Sequence, residues 1–366
     1  MKIGHARYCL TPQKEFYLIG YRSDNRYEPA EGVHDDIYGN SLLFEEDGKQ
    51  IFLFSADFLE FEEEMAESVK THMQEKYGLE RDLILLSATH DHSSVVSYHK
   101  GWYTRKFDQE YYDFLIQTIE KSYLDCRANV QEAEVKFGKK VILGYYGNRN
   151  HPGQPADNEV IVLKFLDKDG NAFAGMVNWA VHSTVLGDQN TMLTGDLAGA
   201  VCRELEKTFG FYPLMAVGAA GDCSNRNERK GKDFDELCRV SAALAKEIGE
   251  IPVDQELRMG KIQCQTLFHT IHRDDFHLDA KGWVMDLGGI QLFVFPGELG
   301  SAFGIQMKAR CPVQGMILGY TNGYYEYFMP KEEYGLSFET KESKIPAGEA
   351  EKLVEKFIQA AIMLNK

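Results

Sequence analysis

Short apolar runs alternate with longer amphipathic segments along most of the chain. The apolar runs have the length of strands and are bounded by turn residues, which is typical of sheets covered by helices. The predicted strands are 40–44, 50–57, 82–88, 160–165, 175–181, 214–220 and 289–296. Apolar residues at helical spacing, with capping residues at the ends, predict the helices 62–77, 108–128, 197–209, 233–248 and 347–364. The sequences EEDG (45–48) and DKDG (167–170) predict hairpin turns.

This alternation predicts an α/β fold with mixed β-sheets flanked by helices. No linker rich in glycine, proline or serine and no internal repeat divides the chain, so we expect residues 1–366 to form a single large domain. The segment 256–281 carries several histidines and aspartates and is compatible with a β-rich excursion, but its pattern does not place it in the fold.

Five of the predicted strands end in polar or titratable residues. These residues are Asp57, His90, His92, His182, Asp222, Ser224 and Glu298. The ligand site of an open α/β sheet lies beyond the strand ends, so five such ends indicate one shared site. A single histidine after a strand is more often a hydrogen-bonded structural residue, and the prediction therefore depends on the set.

Two histidines and one carboxylate hold zinc well and leave a coordination position for water. His90 and His182 are the natural pair of nitrogen ligands. His92, two residues from His90, then remains to hydrogen-bond the substrate. Zinc provides a nucleophile at neutral pH, which suits hydrolysis of an amide or an ester.

The net charge and the distribution of cysteines exclude some classes of partner and indicate a cellular location. The net charge of −16 excludes a nucleic-acid partner and docking on anionic membranes. No apolar run approaches the roughly 18 residues of a transmembrane helix, so we expect no stable membrane insertion. The N-terminus shows no signal peptide, and the seven dispersed cysteines lack a C-x-x-C pair, which favours free thiols and a cytoplasmic protein.

Seven stretches, in order from near residue 30 to about residue 340, resemble one known family. They are GVHDDIYGNSLLF with FLFSADFLEF, SATHDHSS, NRN (148–150), MVNWAVHSTVLGDQNTMLTGDLAG, AAGDCSNRN, FPGELGSAFG and TNGYYEYFMPKEEY. They are similar to segments of the catalytic domain of the neutral (alkaline) ceramidases, which are zinc-dependent amidases; SATHDHSS, for example, resembles that family's THTHSG.

The resemblance implies a role for each matching residue. One Zn²⁺ ion per chain would be held by His90, His182, Glu298 and Tyr327, with Tyr324 and Tyr325 as the alternatives for the tyrosine ligand. His92 and Arg149 would orient and polarise the scissile carbonyl, and Ser224 falls on a serine important for activity; these three are the predicted catalytic residues. Tyr324 and Asp222 are the predicted substrate-binding residues.

The sequence also departs from the family pattern. No proline follows Ser224, Ser94 replaces a glycine, and either Phe338 or Glu339 stands where the family has a further tyrosine. The family's C-terminal immunoglobulin-like domain and secretion signal are not recognised. These differences indicate a short, cytoplasmic, catalytic-domain-only relative.

The predicted function is zinc-dependent hydrolysis of an N-acyl amide bond in a small soluble substrate rather than in ceramide, and the sequence leaves open whether the chain forms an oligomer. One alternative is a binding protein that keeps the fold without turnover. Another is an esterase or phosphoesterase, which commonly uses paired metals bridged by carboxylates. Those carboxylates would be Asp57, Asp91, Asp196 and Asp222.

Specificity is expected to depend on the loops 98–106, 225–232 and 324–334, where the sequence differs most from the family. Arg105, Arg226 and Arg229 would lie at the rim of the site. They favour an N-acyl compound that carries a carboxylate or phosphate, because guanidinium pairs with such groups bidentately. The alternative is that these arginines are ordinary solvated surface residues.

Overall fold

Three mixed β-sheets with helices outside them make up the fold, in agreement with the predicted α/β class. The computed structural model describes residues 1–273 and 276–366. The strands are β1 (Lys2–Cys9), β2 (Gly32–Val33), β3 (Tyr38–Glu46), β4 (Lys49–Ala56), β5 (Ile84–Ala88), β6 (Gln131–Glu132), β7 (Glu134–Val141), β8 (Gly147–Asn148), β9 (Glu159–Leu166), β10 (Ala172–Trp179), β11 (Met192–Leu193), β12 (Leu214–Val217), β13 (Cys223–Ser224), β14 (Gln255–Glu256), β15 (Met259–Arg273), β16 (Phe276–Gly288), β17 (Ile290–Val294), β18 (Glu298–Leu299), β19 (Gln314–Leu318) and β20 (Tyr327–Phe328). The helices are α1 (Glu63–Tyr77), α2 (Gln109–Asn129), α3 (Asp196–Phe209), α4 (Phe234–Gly249), α5 (Ser301–Arg310), α6 (Phe338–Glu342) and α7 (Glu349–Leu364).

Each large sheet contains one parallel pair of strands. The strand orders are β5-β4-β3-β1-β6, β12-β10-β9-β7-β14 and β15-β16-β17-β19. The parallel pairs are β4 with β5, β10 with β12, and β17 with β19, and the other pairs in these sheets are antiparallel. The turns EEDG and DKDG connect β3 to β4 and β9 to β10, as predicted.

Strand β4 is buried on both of its faces. In β4, Ile51 and Leu53 pack between the sheets, whereas Phe52 and Phe54 pack toward the helices. Since successive side chains of a strand point to opposite faces, both sides of this strand are buried. This double burial explains why its sequence is an apolar run rather than an apolar–polar alternation.

The helices cover the outer faces of the sheets. α2 packs on β1 and β3, α3 packs against α4, and α5 and α7 cover the third sheet. Asp108 and Asp233 cap α2 and α4 by accepting hydrogen bonds from backbone N–H groups of the first turn. No helix in the described part of the chain is long and apolar enough to cross a membrane.

Every predicted strand and helix has a counterpart in the structure, with shifted ends. The sequence pattern did not predict β1, β7, β19, α5, α6 or the two-residue strands. The segment 256–281 contributes to the long hairpin β15–β16, which confirms its β-rich character; its residues 274 and 275 lie outside the described residues.

The parallel pairs determine where a site can form. At the carboxyl ends of the strands in these pairs, the chain continues into loops that pair with one another. An isolated bridge joins Asp91 to Ser183 and a second joins Ser87 to Thr321, which links the loops after β5, β10 and β19. The polar residues predicted after separate strands are thereby brought to one place.

Candidate metal centre

His90 and His92 lie in the loop that directly follows β5. His90 adopts a left-handed backbone conformation with φ of 55°, which is uncommon for a residue other than glycine. Its Nδ1–H donates to the Leu59 carbonyl oxygen at 2.9 Å, and the Asp91 N–H donates to Phe58 O at 2.9 Å. These bonds hold the strained turn and fix the direction of the His90 ring.

Backbone carbonyl oxygens also orient the other two rings. His182 follows β10, and its Nδ1–H donates to Cys223 O at 3.0 Å. His92 Nδ1–H donates to Gly20 O at 2.7 Å. Gly20 has φ of 100°, and a Cβ there would lie 2.6 Å from the Cα of His92, so a side chain at this position would displace the ring.

The three rings converge, with one nitrogen of each lying within 4.8 Å of the others. Burial lowers the pKa of His90, His92 and His182 well below the usual value, so the rings are neutral at physiological pH. Because each Nδ1 carries the donated proton, each Nε2 has a lone pair, an assignment made from the hydrogen-bond partners. Neutral imidazole nitrogens of this kind are the commonest metal ligands in proteins.

Glu298 completes the cluster from β18. Its side chain is 1% exposed, with Oε2 3.0 Å from His182 Nε2 and Oε1 3.5 Å from His90 Nε2. His90 Nε2 and His92 Nε2 are 3.2 Å apart. Ligand atoms of one tetrahedral ion with bonds of about 2.1 Å lie about 3.4 Å from each other, so these separations fit a shared ion.

The donor set also requires a positive charge. His182 Nε2 is buried and has no hydrogen-bond donor among the described residues. Lone pairs of His90, His92, His182 and Glu298 face one another, and such an arrangement is repulsive unless a cation or proton lies between them. The residues therefore fit a divalent metal ion bound by nitrogen and oxygen.

Three tyrosines lie next to this cluster. The Tyr324 hydroxyl donates to Glu298 Oε1, and the Tyr320 hydroxyl donates to Oε2 at 3.3 Å. The hydroxyl oxygen of Tyr327, the predicted ligand, instead accepts from Arg149 Nη2 at 3.3 Å. Tyr327 remains a predicted ligand, but Tyr324 and Tyr320 are the tyrosines that contact the carboxylate.

Arg149 is buried beside the cluster and is held by an ion pair. Its Nε donates to Glu339 Oε1 at 2.5 Å, and its Nη2 donates to Gly221 O at 2.9 Å. Glu339 is 0% exposed and also accepts from Asn150 Nδ2 at 2.7 Å. Burial opposes ionisation of Glu339, but the guanidinium outweighs it and lowers the pKa of the carboxyl. Arg149 therefore carries a compensated charge and a fixed orientation.

Asp222 and Ser224 lie beside Arg149, whose N–H donates to Asp222 O at 2.8 Å, but their side chains bond to other protein groups. Both Asp222 oxygens accept from Ser301, and Oδ2 also accepts from Asn148 Nδ2. Ser224 Oγ accepts from the Arg226 N–H at 3.2 Å. These hydrogen bonds hold both side chains in place. The substrate-binding role of Asp222 and the catalytic role of Ser224 remain predictions.

Two residues of the site were absent from the predicted set of roles. Tyr320 follows β19, and its ring stacks on His90 with centroids 4.1 Å apart. In the sequence, the short apolar run 316–318 just before Tyr320 was the signal that could have indicated it. Glu339 had been noted only as one of two replacements for a family tyrosine. The structure distinguishes them, because Phe338 is 57% exposed whereas Glu339 is fully buried.

The arrangement does not support the paired-metal alternative. Within residues 1–273 and 276–366, the group of His, Cys, Asp or Glu side chains that converges as metal ligands do is the histidine trio. Asp57, Asp91, Asp196 and Asp222 form no such group with each other. A cavity of about 660 Å³ lies elsewhere, with Arg7, Phe173 and Tyr212 in its wall, and no predicted site residue lines it.

Comparison with known proteins adds a family relationship. The family model described as neutral/alkaline non-lysosomal ceramidase, N-terminal, matches residues 1–214. Neutral ceramidase A of Dictyostelium discoideum is 25% identical over 222 residues, which are 54% of this chain and 30% of that protein. The neutral ceramidase of Drosophila melanogaster is 24% identical over 242 residues, covering 59% of this chain and 34% of its own length. The chain thus spans about a third of the length of these curated relatives.

The fold extends the similarity over the whole chain. The crystal structure of neutral ceramidase from Pseudomonas aeruginosa superposes with a TM-score of 0.84 and 18% identity, covering 100% of this chain and 74% of that one. A ceramidase complexed with C2 gives a TM-score of 0.85 and 16% identity, covering 99% and 75%. At these identities the comparison shows a shared fold.

Proposed function

The chain belongs to the neutral/alkaline non-lysosomal ceramidase family, and from this premise we propose that it is a metal-dependent hydrolase that cleaves the amide bond of an N-acyl compound. The observation that carries the proposal is the convergence of three neutral imidazole nitrogens and one buried carboxylate. Each ring is fixed by a backbone carbonyl, so the ligand atoms are in place before an ion arrives.

His90, His182 and Glu298 would hold a zinc ion, and Tyr324 is the tyrosine that the geometry favours beside them. A zinc ion held there supplies Lewis acidity, which polarises an acyl carbonyl and activates water. His90 and His182 are each 1% exposed, which suits ligands, whereas His92 is half-buried.

His92 is proposed as the proton acceptor of the reaction. Its Nδ1–H donates to Gly20 O, so its Nε2 accepts rather than donates. This nitrogen can take a proton from the attacking water and return it to the leaving nitrogen. The sequence had suggested that His92 polarises the carbonyl, and the tautomer favours proton transfer instead.

Arg149 is proposed to stabilise the negative charge that develops on the carbonyl oxygen. Its Nε and Nη2 are used by Glu339, Gly221 and Tyr327, while Nη1 donates to no residue in the described part of the chain. A donor fixed before the reaction stabilises the transition state without reorganising, an effect often worth several kcal/mol.

We propose a small, soluble N-acyl substrate and a cytoplasmic location. One feature supports this substrate: the chain carries a net charge of −16, which disfavours docking on the anionic membrane surface where a lipid substrate would be reached. A ceramide with two long chains would need an extended apolar slot at the cluster. Cleavage of ceramide is the competing outcome.

The test combines metal analysis with turnover. We expect about one zinc per purified chain, loss of amide hydrolysis after chelation, and recovery on adding zinc. Release of free amine is measured from short N-acyl compounds and from ceramide in detergent micelles. Bound zinc with no turnover of any amide would identify a binding protein, and turnover of ceramide alone would restore a lipid substrate.

A further inference from the structure

The loop that follows β13 is held rigidly at the edge of the metal centre. Residues 225–229 are called the arginine loop here. The N–H groups of Glu228 and Arg229 donate to Asn225 O at 2.9 and 2.8 Å, and the Arg226 N–H donates to Ser224 Oγ at 3.2 Å. Asn225 is 0% exposed. A loop closed by its own hydrogen bonds on a buried residue presents its exposed side chains in a defined direction.

The arginine loop is also tied to the strand that delivers Arg149. β13 pairs with β8, which places Cys223 opposite Asn148. Asn227 Nδ2 donates to Asn148 O at 3.3 Å. Arg149 is the next residue, and its N–H donates to Asp222 O at 2.8 Å. Arg226 therefore lies on the side of the centre where Arg149 and His182 are found.

The other arginines near the centre are already used. Arg149 is paired with Glu339. Arg229 donates through Nη1 to the carbonyl oxygens of Thr184 and Val185. Arg26 is fully buried and donates to Asn190 O at 2.6 Å and His92 O at 3.3 Å. None of these three guanidinium groups is free to take an additional anion as its main partner.

Arg226 differs from them. It is exposed, and its guanidinium makes no ion pair or hydrogen bond with the residues that the structure describes. Its backbone is held next to Ser224, on the strand that pairs with the one leading to Arg149. Burial and the charge of Arg149 lower the pKa of Arg226, while Glu339 raises it. Arg226 is thus an uncompensated cation beside a site whose own arginine is neutralised.

We propose that Arg226 selects N-acyl substrates that carry an anionic group, a carboxylate or a phosphate, next to the scissile bond. This inference rests on the proposed amide hydrolysis. A chain with net charge −16 repels anions in general, so an acidic substrate needs a local cation at the site. An unpaired guanidinium supplies a planar fork that matches carboxylate and phosphate oxygens.

The experiment uses four substrates with one acyl chain and one kind of scissile bond. They are N-octanoylglycine, N-octanoyl-O-phosphoethanolamine, N-octanoylethanolamine and N-octanoylethylenediamine, which carry a carboxylate, a phosphate, no charge and a positive charge. For the zinc-loaded protein we expect kcat/KM to be at least about 10-fold higher for one or both anions than for the neutral compound. The ratio between the two anions identifies which oxyanion the site prefers.

Variants at position 226 separate recognition from chemistry. Arg226→Gln should lower kcat/KM for the anions about 10-fold, mainly through KM, and leave the neutral substrate unchanged. Arg226→Lys should keep part of the preference, and Arg226→Glu should shift it toward the cationic substrate. Arg258→Gln, an exposed arginine between β14 and β15, is the matched control and should change none of the ratios.

Binding without turnover makes the test independent of catalysis. Calorimetric titration of N-octanoylglycine into chelator-treated, folded protein should show binding that Arg226→Gln weakens about 10-fold. Equal binding by both proteins, or an equal fall in kcat/KM for all four substrates, overturns the proposal. Absence of hydrolysis of every amide would overturn the proposed function, whereas an Arg226-dependent binding of the anion would still stand.

Discussion

The three imidazoles differ in burial, and this difference separates their expected roles. His90 and His182 are almost fully buried against Glu298, whereas His92 is half-buried. We predict that His182→Ala abolishes zinc retention, because it leaves a site with too few strong ligands. His92→Ala should keep zinc and lower kcat about 10²-fold or more, the size of effect of a lost proton-transfer group.

The zinc content per chain, measured by mass spectrometry, and kcat, measured for the same variants, together distinguish these outcomes. If His92→Ala loses zinc as completely as His182→Ala while His90→Ala retains it, the roles of His90 and His92 are exchanged. His72→Ala, at a partly exposed histidine of α1 that pairs with Glu120, serves as the control for the loss of an imidazole.

The tyrosines give a second prediction at the scale of single residues. Tyr324 donates to Glu298 and Tyr327 accepts from Arg149. We therefore expect Tyr324→Phe to weaken zinc binding about 10-fold or more, the usual cost of removing a partner of a ligating carboxylate. Tyr327→Phe should leave zinc affinity unchanged and act on kcat. Competition with a chromophoric chelator measures both affinities, and the reverse result would support Tyr327 as the ligand.

At the scale of elements, a buried histidine ties the loop after the turn that carries His90 and His92 to the start of α1. His99 Nε2 lies 2.6 Å from Glu60 Oε1, and its Nδ1 lies 2.7 Å from Glu62 Oε1. Burial opposes the charged ring, but the hydrogen bonds of the two carboxylates outweigh it and raise the pKa of His99 to about 9. The protonated ring therefore fastens this loop at neutral pH.

This ion cluster predicts a pH-dependent stability. Because the pKa of His99 is higher in the folded protein than in the unfolded chain, its stabilisation is complete below about pH 6.5 and is lost as the pH rises through about 9. The full contribution is on the order of 3 kcal/mol. Urea denaturation should show His99→Gln to be less stable than the parent at pH 6, with the difference shrinking by pH 9.5. A difference that does not change with pH would contradict the assignment.

At the scale of the whole molecule, the Arg149–Glu339 pair joins segments 190 residues apart in sequence. It connects α6, near the C-terminal end, to the strand pair β8–β13. Removing one member of a buried pair leaves an uncompensated charge, which costs about 3–5 kcal/mol. We predict that Glu339→Gln lowers the free energy of unfolding by an amount of this order, whereas Glu342→Gln on the same helix, facing Arg22 at the surface, costs less than about 1 kcal/mol.

A double variant distinguishes pairing from a general loss of packing. Arg149→Met combined with Glu339→Gln should recover much of the stability lost in Glu339→Gln, since neither charge then remains buried alone. The double variant should stay inactive, because Arg149 is proposed to stabilise the oxyanion. Additive losses in the two single variants would show that the residues do not act as a pair.

The sequence by itself determined the elements and the neighbourhood of the site. Apolar runs such as that of β4 predict buried strands because both faces of these strands are covered. Polar residues after β5, β10 and β17 predict a site because ligands bind beyond strand ends, and the fold brings these ends together from three separate sheets. The order of the family motifs likewise indicated the fold, which the structural comparison confirms. These features depend on local spacing, which a single chain displays directly.

The tertiary structure alone decided how the site residues are used. The tautomer of His92 depends on Gly20 O, the partner of Glu298 depends on how the chain turns after β19, and the charge of Arg149 depends on a helix 190 residues away. The family resemblance assigns the ligand role to Tyr327, and only the folded chain shows that Tyr324, three positions before it, donates to Glu298. Hydrogen bonds between distant segments, and backbone carbonyls that any residue can supply, leave no mark in a local pattern, so only the folded chain assigns them.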